Sequence, residues 1–562
     1  MPGPEQQAVK SPNISGRLVL SLERISANSY ATRVIYLVAV LFFLLIVMAP
    51  AVAGIVAQLF SLPSLVLSAS VLTRMERAIS WSFAIGLVVS SLDVLAGIPL
   101  AWLIVRRRGH LATILDSLVD IPFVVPTVAL GFSILEFWSS PLGIAQLFKS
   151  TSLVTPGSVL IMLLHFAFSF PVIVRVMVGE FLNYRETYEL AARTLGASAF
   201  TAVRTVTMPI LRSGILAAFL LALARSLSET GATIVVAGAF ENGTVFISNA
   251  RDSGLTSAVV LASLIMIMSS LAVFTVIKII APKITVAPLK IWPSLERNLS
   301  KSPVVVTRNA VSVAVFLIFV LFPCLFIALP AVSAIAGGTA TEAIAGAGPW
   351  KVFWSSMLLS YMVAVLVTVV NIVAGLPMAI LIARNRFGGI TTRIIDALVD
   401  LPIIVPSLAL GVSLNFFWSS MGALPEFWII VLAHTTITYS YFVRTMTASI
   451  QEVQSELEDA AKTLGALPFR VFRRITLPLT KYALLSGAIL VFTRSVDETG
   501  ATSAVSMTLK TAPILLVSWI KDTVSVTPSE RALGVGFLVA TSFLALVALR
   551  LIAMRKPSRK VA

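Results

Sequence analysis

Long runs of apolar residues, separated by short polar stretches, recur along the whole chain. A hydrocarbon core about 30 Å thick needs about 20 apolar helical residues to cross it, and the runs reach that length. Membrane strands would give short segments of alternating polarity, which these runs do not resemble. The pattern predicts an all-α integral membrane protein with about twelve transmembrane helices. The predicted spans are 34–60, 80–105, 113–138, 156–178, 213–238, 255–281, 311–336, 353–383, 393–418, 427–446, 483–506 and 531–554.

Composition agrees with this class, because 57% of the residues are hydrophobic, 12% are charged and the mean hydropathy is +0.96. The net charge of +16 raises the possibility of nucleic-acid binding, and the positions of the basic residues along the chain test that possibility. Threading twelve spans places 32 of the 42 Lys and Arg residues on the side of the N-terminus. This asymmetry predicts that both termini are cytoplasmic, and it assigns the charge to topology and anionic lipid headgroups instead of nucleic acid. We expect span 1 to be retained, since the first run is too long for a signal peptide.

The two halves of the sequence repeat each other. DSLVDIPFVVPTVALGFSILEFWSS at 116–140 recurs as DALVDLPIIVPSLALGVSLNFFWSS at 396–420, and RSLSETGAT at 225–233 recurs as RSVDETGAT at 494–502. Six spans per copy is an even number, so both copies share one orientation and can pair about an axis along the membrane normal. The sequence therefore predicts two six-helix halves related by a pseudo-twofold axis, with a pathway between them.

The repeat also predicts the domain boundaries. They are a cytoplasmic N-terminal segment at 1–33, a first repeat at 34–281, a cytoplasmic linker at 282–308, a second repeat at 309–555 and a cytoplasmic tail at 556–562. The linker is basic and contains proline, and it is long enough to join the halves on the cytoplasmic side.

Each copy carries a cytoplasmic segment that reads as a short amphipathic helix, a glycine turn and a second helix ending at proline. Small residues allow close approach to another surface, glycine supplies a positive-φ helix end, and proline starts the next membrane helix. The residues are Glu189, Ala191, Ala192, Gly196, Val206, Met208 and Pro209 in the first copy, and Asp459, Ala460, Ala461, Gly465, Ile475, Leu477 and Pro478 in the second.

This spacing resembles the EAA motif, E-A-A-x3-G-x9-I-x-L-P, of the permeases of binding-protein-dependent ABC importers. The first copy has Leu190 at the glutamate position, with Glu189 one residue earlier, and the second copy has Asp459 there. The resemblance covers nearly all of both halves and implies the type I importer permease fold. It also implies that the segments at roughly 186–200 and 455–469 are coupling helices, each seated in a cleft of an ATP-binding subunit.

The resemblance further implies the partners. ATP and Mg would be bound by two separate ATP-binding subunits, and an extracytoplasmic substrate-binding protein would deliver the substrate. No lysine in this chain follows a glycine, which excludes a Walker A motif, and we expect no cofactor or metal in the chain itself. The protein is accordingly predicted to be a multi-pass permease of a prokaryotic inner membrane and not an enzyme.

Charged residues inside the predicted spans are costly in a bilayer and should be paired or face protein or water. Arg225 with Glu229, and Arg494 with Glu498, are spaced i,i+4 and predict ion pairs on one helical face. The pairs either hold helices together or line the pathway or its gate, and these readings are compatible. Further candidates for the pathway or gate are the proline pairs Pro122 with Pro126 and Pro402 with Pro406, which should break or kink spans 3 and 9.

Other polar residues in the spans favour structural interpretations. His165 and His434 occupy equivalent positions, and two ligands without a dedicated carboxylate make a poor metal site, so we expect buried, hydrogen-bonded histidines. Cys324 is interpreted as a small core residue. Four aspartates of spans 3 and 9 are predicted to be helix-start residues at the cytoplasmic boundary: Asp116, Asp120, Asp396 and Asp400.

The substrate is left open among several classes. DIPFVVPT and SETGAT resemble segments of the permeases for sulfate, molybdate or tungstate most closely, which implies an inorganic oxyanion. Fusion of two copies is commoner among iron(III) and thiamine permeases. The form of the motif around its glycine, Thr-Leu-Gly-Ala, also resembles that of polyamine permeases. A secondary transporter, driven by an ion gradient, would also have twelve spans and a repeat but would need no docking loops. A membrane enzyme lacks any nucleophile–base arrangement in this sequence.

Overall fold

The computed structural model describes residues 23–61, 68–107, 109–280, 292–422 and 424–554. Throughout these ranges the regular structure is helical, and they contain no strand, which confirms the all-α prediction. The N-terminal residues 1–22 and the predicted tail at 556–562 lie outside the described residues. The described part of the predicted linker is itself helical, with helix Pro293–Leu299 followed by the start of helix Ser302–Phe316.

Nine helices are long and apolar enough to cross a membrane within the described ranges. Two helices, Ala69–Arg106 and Ser302–Ala336, extend well beyond the predicted spans 80–105 and 311–336. The nine are Tyr30–Ala57, Ala69–Arg106, Thr127–Phe148, Ser158–Asn183, Thr256–Ile279, Ser302–Ala336, Trp350–Ala383, Pro468–Val496 and Pro528–Leu549.

Three further predicted spans have a different form. Two are bent pairs of helices: Ala199–Ile210 with Arg212–Ser228, which meet at 71°, and Gly389–Ile404 with Ser407–Ser420, which meet at 107°. The third is helix Glu426–Glu452, the repeat equivalent of Ser158–Asn183. Its 27 residues extend about 40 Å, enough to span a bilayer, although threonine, serine and tyrosine lower its apolarity. The nine helices and the two bent pairs give eleven candidate spans in the described ranges, and helix Glu426–Glu452 lies at the remaining predicted span, 427–446.

Spans 3 and 9 are interrupted near their prolines, as predicted, whereas the prediction of continuous helices is wrong for spans 5 and 11. Spans 3 and 9 break where a residue before proline leaves the helix: Val125 and Val405 are extended, with ψ of 123° and 134°. Spans 5 and 11 break at the Glu-Thr-Gly sequences that follow Ser228 and Asp497, and each resumes as a six-residue helix. A helix interrupted at membrane depth is tolerated only where protein or an aqueous cavity surrounds it.

The first membrane helix of each half packs against the third helix of the other half. The Ser413 hydroxyl donates to the Pro50 carbonyl at 2.8 Å and accepts the Ile55 N–H at 3.2 Å. The equivalent Ser133 makes the same contacts with Pro323 and Ile327, at 2.6 and 2.9 Å. The two halves are therefore interlocked by an exchange of their first helices, in agreement with the predicted pseudo-twofold relationship.

Close backbone contact makes this exchange possible. A Cβ added to Gly54 would lie 1.9 Å from the Ser413 carbonyl oxygen, so no larger residue fits there without displacement. The buried apolar core also crosses the boundary between halves: Phe43 and Ile55 belong to the same cluster as Tyr439 and Phe442. The two largest buried clusters therefore contain residues of both halves, and the halves share most of their core.

Candidate functional site

The two broken helices of spans 5 and 11 meet at the centre of the molecule. A Cβ on Gly231 would lie 2.6 Å from the Thr499 side chain, and a Cβ on Gly500 would lie 2.9 Å from the Thr230 hydroxyl. Each break therefore contacts the other across the boundary between the halves, at the position where a pseudo-twofold axis passes. The repeated Glu-Thr-Gly-Ala-Thr sequence supplies both the glycine that permits this close approach and the threonine that packs against it.

The repeated glutamates cap the short helices that follow the breaks. The Glu229 carboxylate accepts the Ala232 N–H at 2.8 Å, and the Glu498 carboxylate accepts the Ala501 N–H at 2.9 Å. Both side chains are buried. A carboxylate at a helix N-terminus satisfies a free backbone donor and interacts favourably with the helix dipole. Both glutamates thus stabilise the break, a function that their i,i+4 spacing from arginine did not predict.

The ion pair predicted in both halves forms in only one. Arg494 lies 2.8 Å from Glu498. The predicted Arg225–Glu229 pair is wrong: Glu229 follows the end of helix Arg212–Ser228 with an extended backbone, φ −75° and ψ 125°, and its side chain does not reach Arg225. The Arg225 guanidinium lies over the Phe168 ring instead, 3.9 Å from the centroid, and its Nε has no hydrogen-bond partner among the described residues.

A cavity of about 230 Å3 separates the halves at this level and is lined by residues from both. It brings together three of the predicted pathway residues, Pro126, Arg225 and Arg494, and adds Tyr441 and Asp497. The remaining candidates, which are Pro122, Glu229, Pro402, Pro406 and Glu498, do not line it. Sequence reasoning missed Asp497, although it is the one added charge between RSLSETGAT and RSVDETGAT, where Ser228 stands in the first copy.

Asp497 connects the two halves directly. Its carboxylate accepts the backbone N–H of Thr127, the first residue of the helix that follows the Pro126 break. The symmetry-related contact involves only neutral groups: the Ser407 hydroxyl donates to the Ser228 carbonyl at 3.1 Å. The two halves of the cavity are therefore chemically unequal, with one capped by a carboxylate and the other by neutral groups.

Both members of each predicted proline pair lie at an interruption of the helix. Pro122 and Pro402 lie in the first turn of the one-turn helices Ile121–Val124 and Leu401–Ile404, each of which begins just after a longer helix has ended. Proline is tolerated in a first turn because its missing N–H has no helical partner there. Pro126 and Pro406 are extended, with ψ of 142° and 130°, and each precedes the next helix. The predicted interruption of spans 3 and 9 is confirmed.

The two histidines bridge the broken helices. His165 contacts the hydroxyls of Ser226 and Thr233 at 2.7 and 2.9 Å, one on each side of the first break. His434 contacts Ser495 and Thr502 at 2.9 and 2.7 Å in the same way. This geometry confirms the interpretation of buried, hydrogen-bonded histidines. Within the described ranges no three His, Cys, Asp or Glu side chains lie together as metal ligands.

The cytoplasmic motif forms the predicted helix and glycine turn in both halves. Helices Thr187–Thr194 and Ser455–Thr463 contain the small residues Ala191, Ala192, Ala460 and Ala461. Both glycine turns have positive φ, +94° at Gly196 and +83° at Gly465, and a Cβ at either glycine would meet no atom within 4 Å. Leu195 and Leu464, immediately before these glycines, are 90% and 89% exposed. The turn therefore presents an apolar side chain to the solvent in each half, a feature that sequence reasoning did not single out.

The acidic residues of this motif are not equivalent between the halves. Glu189 is buried and pairs with Arg106 at 2.7 Å, and its true counterpart, Glu458, is buried against Arg384 at 2.8 Å. Both glutamates anchor the motif helix to the membrane domain. Asp459 is exposed, and a hydrogen bond from Lys462 lowers its pKa. Pro478 lies in the first turn of helix Leu477–Val496, as predicted, and Pro209 lies in the short helix Met208–Ile210 before the bend.

The Asp residues of spans 3 and 9 are held by arginines. Arg175 contacts Asp116 at 2.5 Å and Asp120 at 2.6 Å. In the second half Arg444 contacts Asp396 and, at 2.6 Å, Asp400. Asp120 and Asp400 directly precede short helices, in agreement with the helix-start prediction. The arginines, which sequence reasoning did not single out, join spans 3 and 4, and 9 and 10.

Comparison with known proteins supports a duplicated transport unit. The model of the family described as "Binding-protein-dependent transport system inner membrane component" matches residues 93–286 and again residues 375–561. The chain is 31% identical over 174 residues to the molybdenum transport system permease protein ModB of Mycobacterium tuberculosis, covering 27% of this chain and 65% of that protein. It is 34% identical over 173 residues to the sulfate transport system permease protein CysT of Salmonella typhimurium, covering 27% and 62%.

A third relative is named for a different substrate. The spermidine/putrescine transport system permease protein PotC of Haemophilus influenzae is 33% identical over 190 residues, which cover 34% of this chain and 71% of that protein. The matches to ModB and CysT span less than two thirds of either protein. Because the family model matches more than half of the chain, in two copies that coincide with the structural repeat, the protein belongs to the binding-protein-dependent transport system inner membrane components.

Proposed function

We propose that the chain is the complete membrane pathway of an ATP-driven importer in a prokaryotic inner membrane, with both termini in the cytoplasm. The central cavity supports this proposal, because it lies between two interlocked halves and is lined by both. The breaks that meet beside it are the natural place for a gate, since short helices joined by extended residues can shift with little loss of packing. Lipid surrounds the protein, and no nucleic acid takes part.

The motif helices Thr187–Thr194 and Ser455–Thr463 are the proposed docking sites for two ATP-binding subunits, which would bind ATP and Mg. Their exposed leucines, Leu195 and Leu464, support this role, because a nearly fully exposed leucine gains free energy when a partner covers it. Glu189 and Glu458 hold each helix to the membrane domain, so that a displacement of the helix is transmitted inward. On the opposite face, an extracytoplasmic binding protein would deliver the substrate.

We propose an inorganic oxyanion, such as sulfate, molybdate or tungstate, as the substrate. The observation that carries this proposal is the Arg225 guanidinium, which lines the cavity and, among the described residues, has no carboxylate within ion-pair distance, with Glu229 and Asp497 acting on its charge from further away. A partly buried cation is unfavourable without a close partner, which an anion in the cavity would supply. The names of ModB and CysT favour the same class, whereas the name of PotC favours a polyamine, as does the carboxylate of Asp497. Iron(III) and thiamine are the other candidates.

Two variants with opposite charge effects distinguish an anion from a cation. In proteoliposomes containing the chain, its ATP-binding subunits and its binding protein, Arg225→Gln should raise the KM for an oxyanion roughly tenfold, since a charged hydrogen bond is lost. Asp497→Asn keeps an acceptor for the Thr127 N–H and removes a negative charge, so it should lower that KM. The exposed Arg77→Gln is the control for loss of one positive charge.

The opposite pattern, with Asp497→Asn weakening uptake and Arg225→Gln strengthening it, would identify a cationic substrate. The energy source is tested in the same vesicles by omitting ATP or the ATP-binding subunits. Uptake should cease in both cases. Uptake by the purified chain alone, driven by an ion gradient, would instead make the protein a secondary transporter.

A further inference from the structure

A four-residue sequence precedes the first membrane helix of each half. Ser-Leu-Glu-Arg occurs at 21–24 and again at 294–297. In each copy the glutamate is buried, although both segments lie outside the membrane helices: Glu23 is 7% exposed and Glu296 is 2% exposed. A buried carboxylate needs partners, and in both copies the partners belong to the opposite half of the molecule.

Glu23, at the start of the first half, binds the second half. Its carboxylate accepts two hydrogen bonds from Arg470, at 3.1 and 2.7 Å, and these bonds hold its pKa below the ordinary value. The neighbouring Ser26 hydroxyl accepts the backbone N–H of Phe469 at 3.1 Å. Arg470 and Phe469 both lie in the helix that directly follows the Gly465 turn, so this leading segment is hydrogen-bonded to the cytoplasmic motif of the second half.

Glu296, at the start of the second half, binds the first half in the same manner. Its carboxylate accepts hydrogen bonds from Thr201 and Arg204, which lower its pKa. The Ser300 hydroxyl accepts the backbone N–H of Phe200 at 2.9 Å. Phe200 and Phe469 are repeat equivalents. The contact is therefore duplicated, with a carboxylate and a serine hydroxyl in each copy.

Each leading segment continues into the exchanged first helix, whose far end is fixed as well. Helix Tyr30–Ala57 follows Glu23 and is bound at Pro50 and Ile55 by Ser413, which lies in the helix after the Pro406 break. The second copy repeats this arrangement from Glu296 to the Ser133 contact. Each arm thus contacts the cytoplasmic motif at one end and the helix after the proline break at the other, and one extended residue, Asn28 or Lys301, lies between its short leading helix and its membrane helix.

We propose that these two arms, residues 23–57 and 293–336, transmit displacement of a cytoplasmic motif to the helix after the proline break in the same half, Thr127–Ser139 or Ser407–Ser420, although each arm belongs to the other half. The proposal rests on the docking role given above to the cytoplasmic motifs. The arms suit this purpose because hydrogen bonds fix each of them at both ends, and one extended residue separates the two helical parts of each arm. Glu23, Glu296, Ser133 and Ser413 are positioning residues in this arrangement.

The test measures hydrogen–deuterium exchange of the full chain in lipid nanodiscs. Glu296→Gln should accelerate exchange in residues 187–207 roughly tenfold, because a charged hydrogen-bond cluster is weakened, and should leave residues 455–476 unchanged. Glu23→Gln should accelerate exchange in 455–476 and leave 187–207 unchanged. The adjacent exposed arginines give matched controls, Arg24→Gln and Arg297→Gln, which should change neither region. Acceleration within the variant's own half, or in neither half, would overturn the proposal.

The linking role is tested with the ATP-binding subunits and the binding protein present. Glu23→Gln and Glu296→Gln should lower the number of substrate molecules imported per ATP hydrolysed, as should Ser133→Ala and Ser413→Ala at the other end of each arm. An unchanged ratio in all four variants would overturn the proposal. If a glutamate variant fails to assemble, Ser26→Ala and Ser300→Ala remove the neutral hydroxyls that accept the Phe469 and Phe200 N–H groups, together with their local bonds to the Glu23 and Glu296 carbonyls, and should give the same crossed exchange pattern at smaller size. Failure of the proposed function itself would appear separately, as absence of ATP-driven import by the unsubstituted chain.

Discussion

Arg494 forms an ion pair with Glu498 at 2.8 Å, four residues further along the chain, and the corresponding arginine of the first half does not. Both helices end before these glutamates, and both glutamates accept an N–H of the short helix that follows, so the break and the cap are common to the two halves. The arginines differ: Arg225 lies against Phe168, whereas Arg494 reaches Glu498. A duplicated sequence has therefore produced two chemically different walls.

This asymmetry predicts unequal effects of one substitution made in each half. Glu498→Gln keeps the cap on Ala501 but leaves Arg494 without its counterion, and it should cost about 3 kcal/mol of stability. Glu229→Gln keeps the cap on Ala232 and breaks no ion pair, so it should cost less than about 1 kcal/mol. Thermal unfolding of the two purified variants in the same lipid measures the difference. Equal losses would contradict the distinction between the two arginines.

The glycine turns predict loss of coupling without loss of the fold. A Cβ at Gly196 or Gly465 would meet no atom, so Gly→Val at these positions acts through the positive φ alone, at a cost of about 1–3 kcal/mol per site. We expect the doubly substituted chain to insert normally and to import poorly with its ATP-binding subunits. Gly179→Val is the control, because Gly179 also has open space around it but lies within a helix. Normal import by the double variant would contradict the docking role.

The orientation of the chain predicts which faces a reagent can reach. With Cys324 buried and replaced by alanine, a cysteine at the exposed Ser294 should react with an impermeant maleimide only from the cytoplasm. A cysteine at the exposed Ser150 should react only from outside. Ser198 is a poorer reporter, because its side chain caps a helix by accepting the Thr201 N–H. Labelling of intact cells and of inverted vesicles measures the accessibility of each cysteine. Reversed accessibility would place both motif helices on the external face and contradict the docking role.

The histidine bridges predict a loss of stability and no metal dependence. His434→Leu would leave the Ser495 hydroxyl without its partner, at a cost of about 1–3 kcal/mol, and would remove one of the two hydrogen bonds of the Thr502 hydroxyl, which also donates to the Glu498 carbonyl. His165→Leu should do the same at the first break. The melting temperature of each variant measures the loss. Addition of Zn2+ or of a chelator should leave the melting temperature of the unsubstituted protein unchanged, and a metal-dependent shift would contradict the bridging role.

Several properties of this protein follow from the sequence alone, because they depend on local composition or on matching one stretch with another. Apolar run length determines that the chain crosses a membrane, and the self-match determines that it does so in two equivalent halves. Local backbone chemistry likewise determines the positive φ of Gly196 and Gly465 and the breaks at Pro126 and Pro406, since only neighbouring atoms are involved.

The tertiary structure decided what distant residues do to one another. The spacing of Arg225 and Glu229 is the same as that of Arg494 and Glu498, yet only one pair forms, because the direction of each side chain depends on where the helix ends and on which ring or amide lies nearby. The exchange of first helices also depends on a contact, Ser413 with Pro50, between residues hundreds of positions apart. Packing between the two halves determines these contacts, and the order of residues along the chain does not reveal which half a helix will pack against.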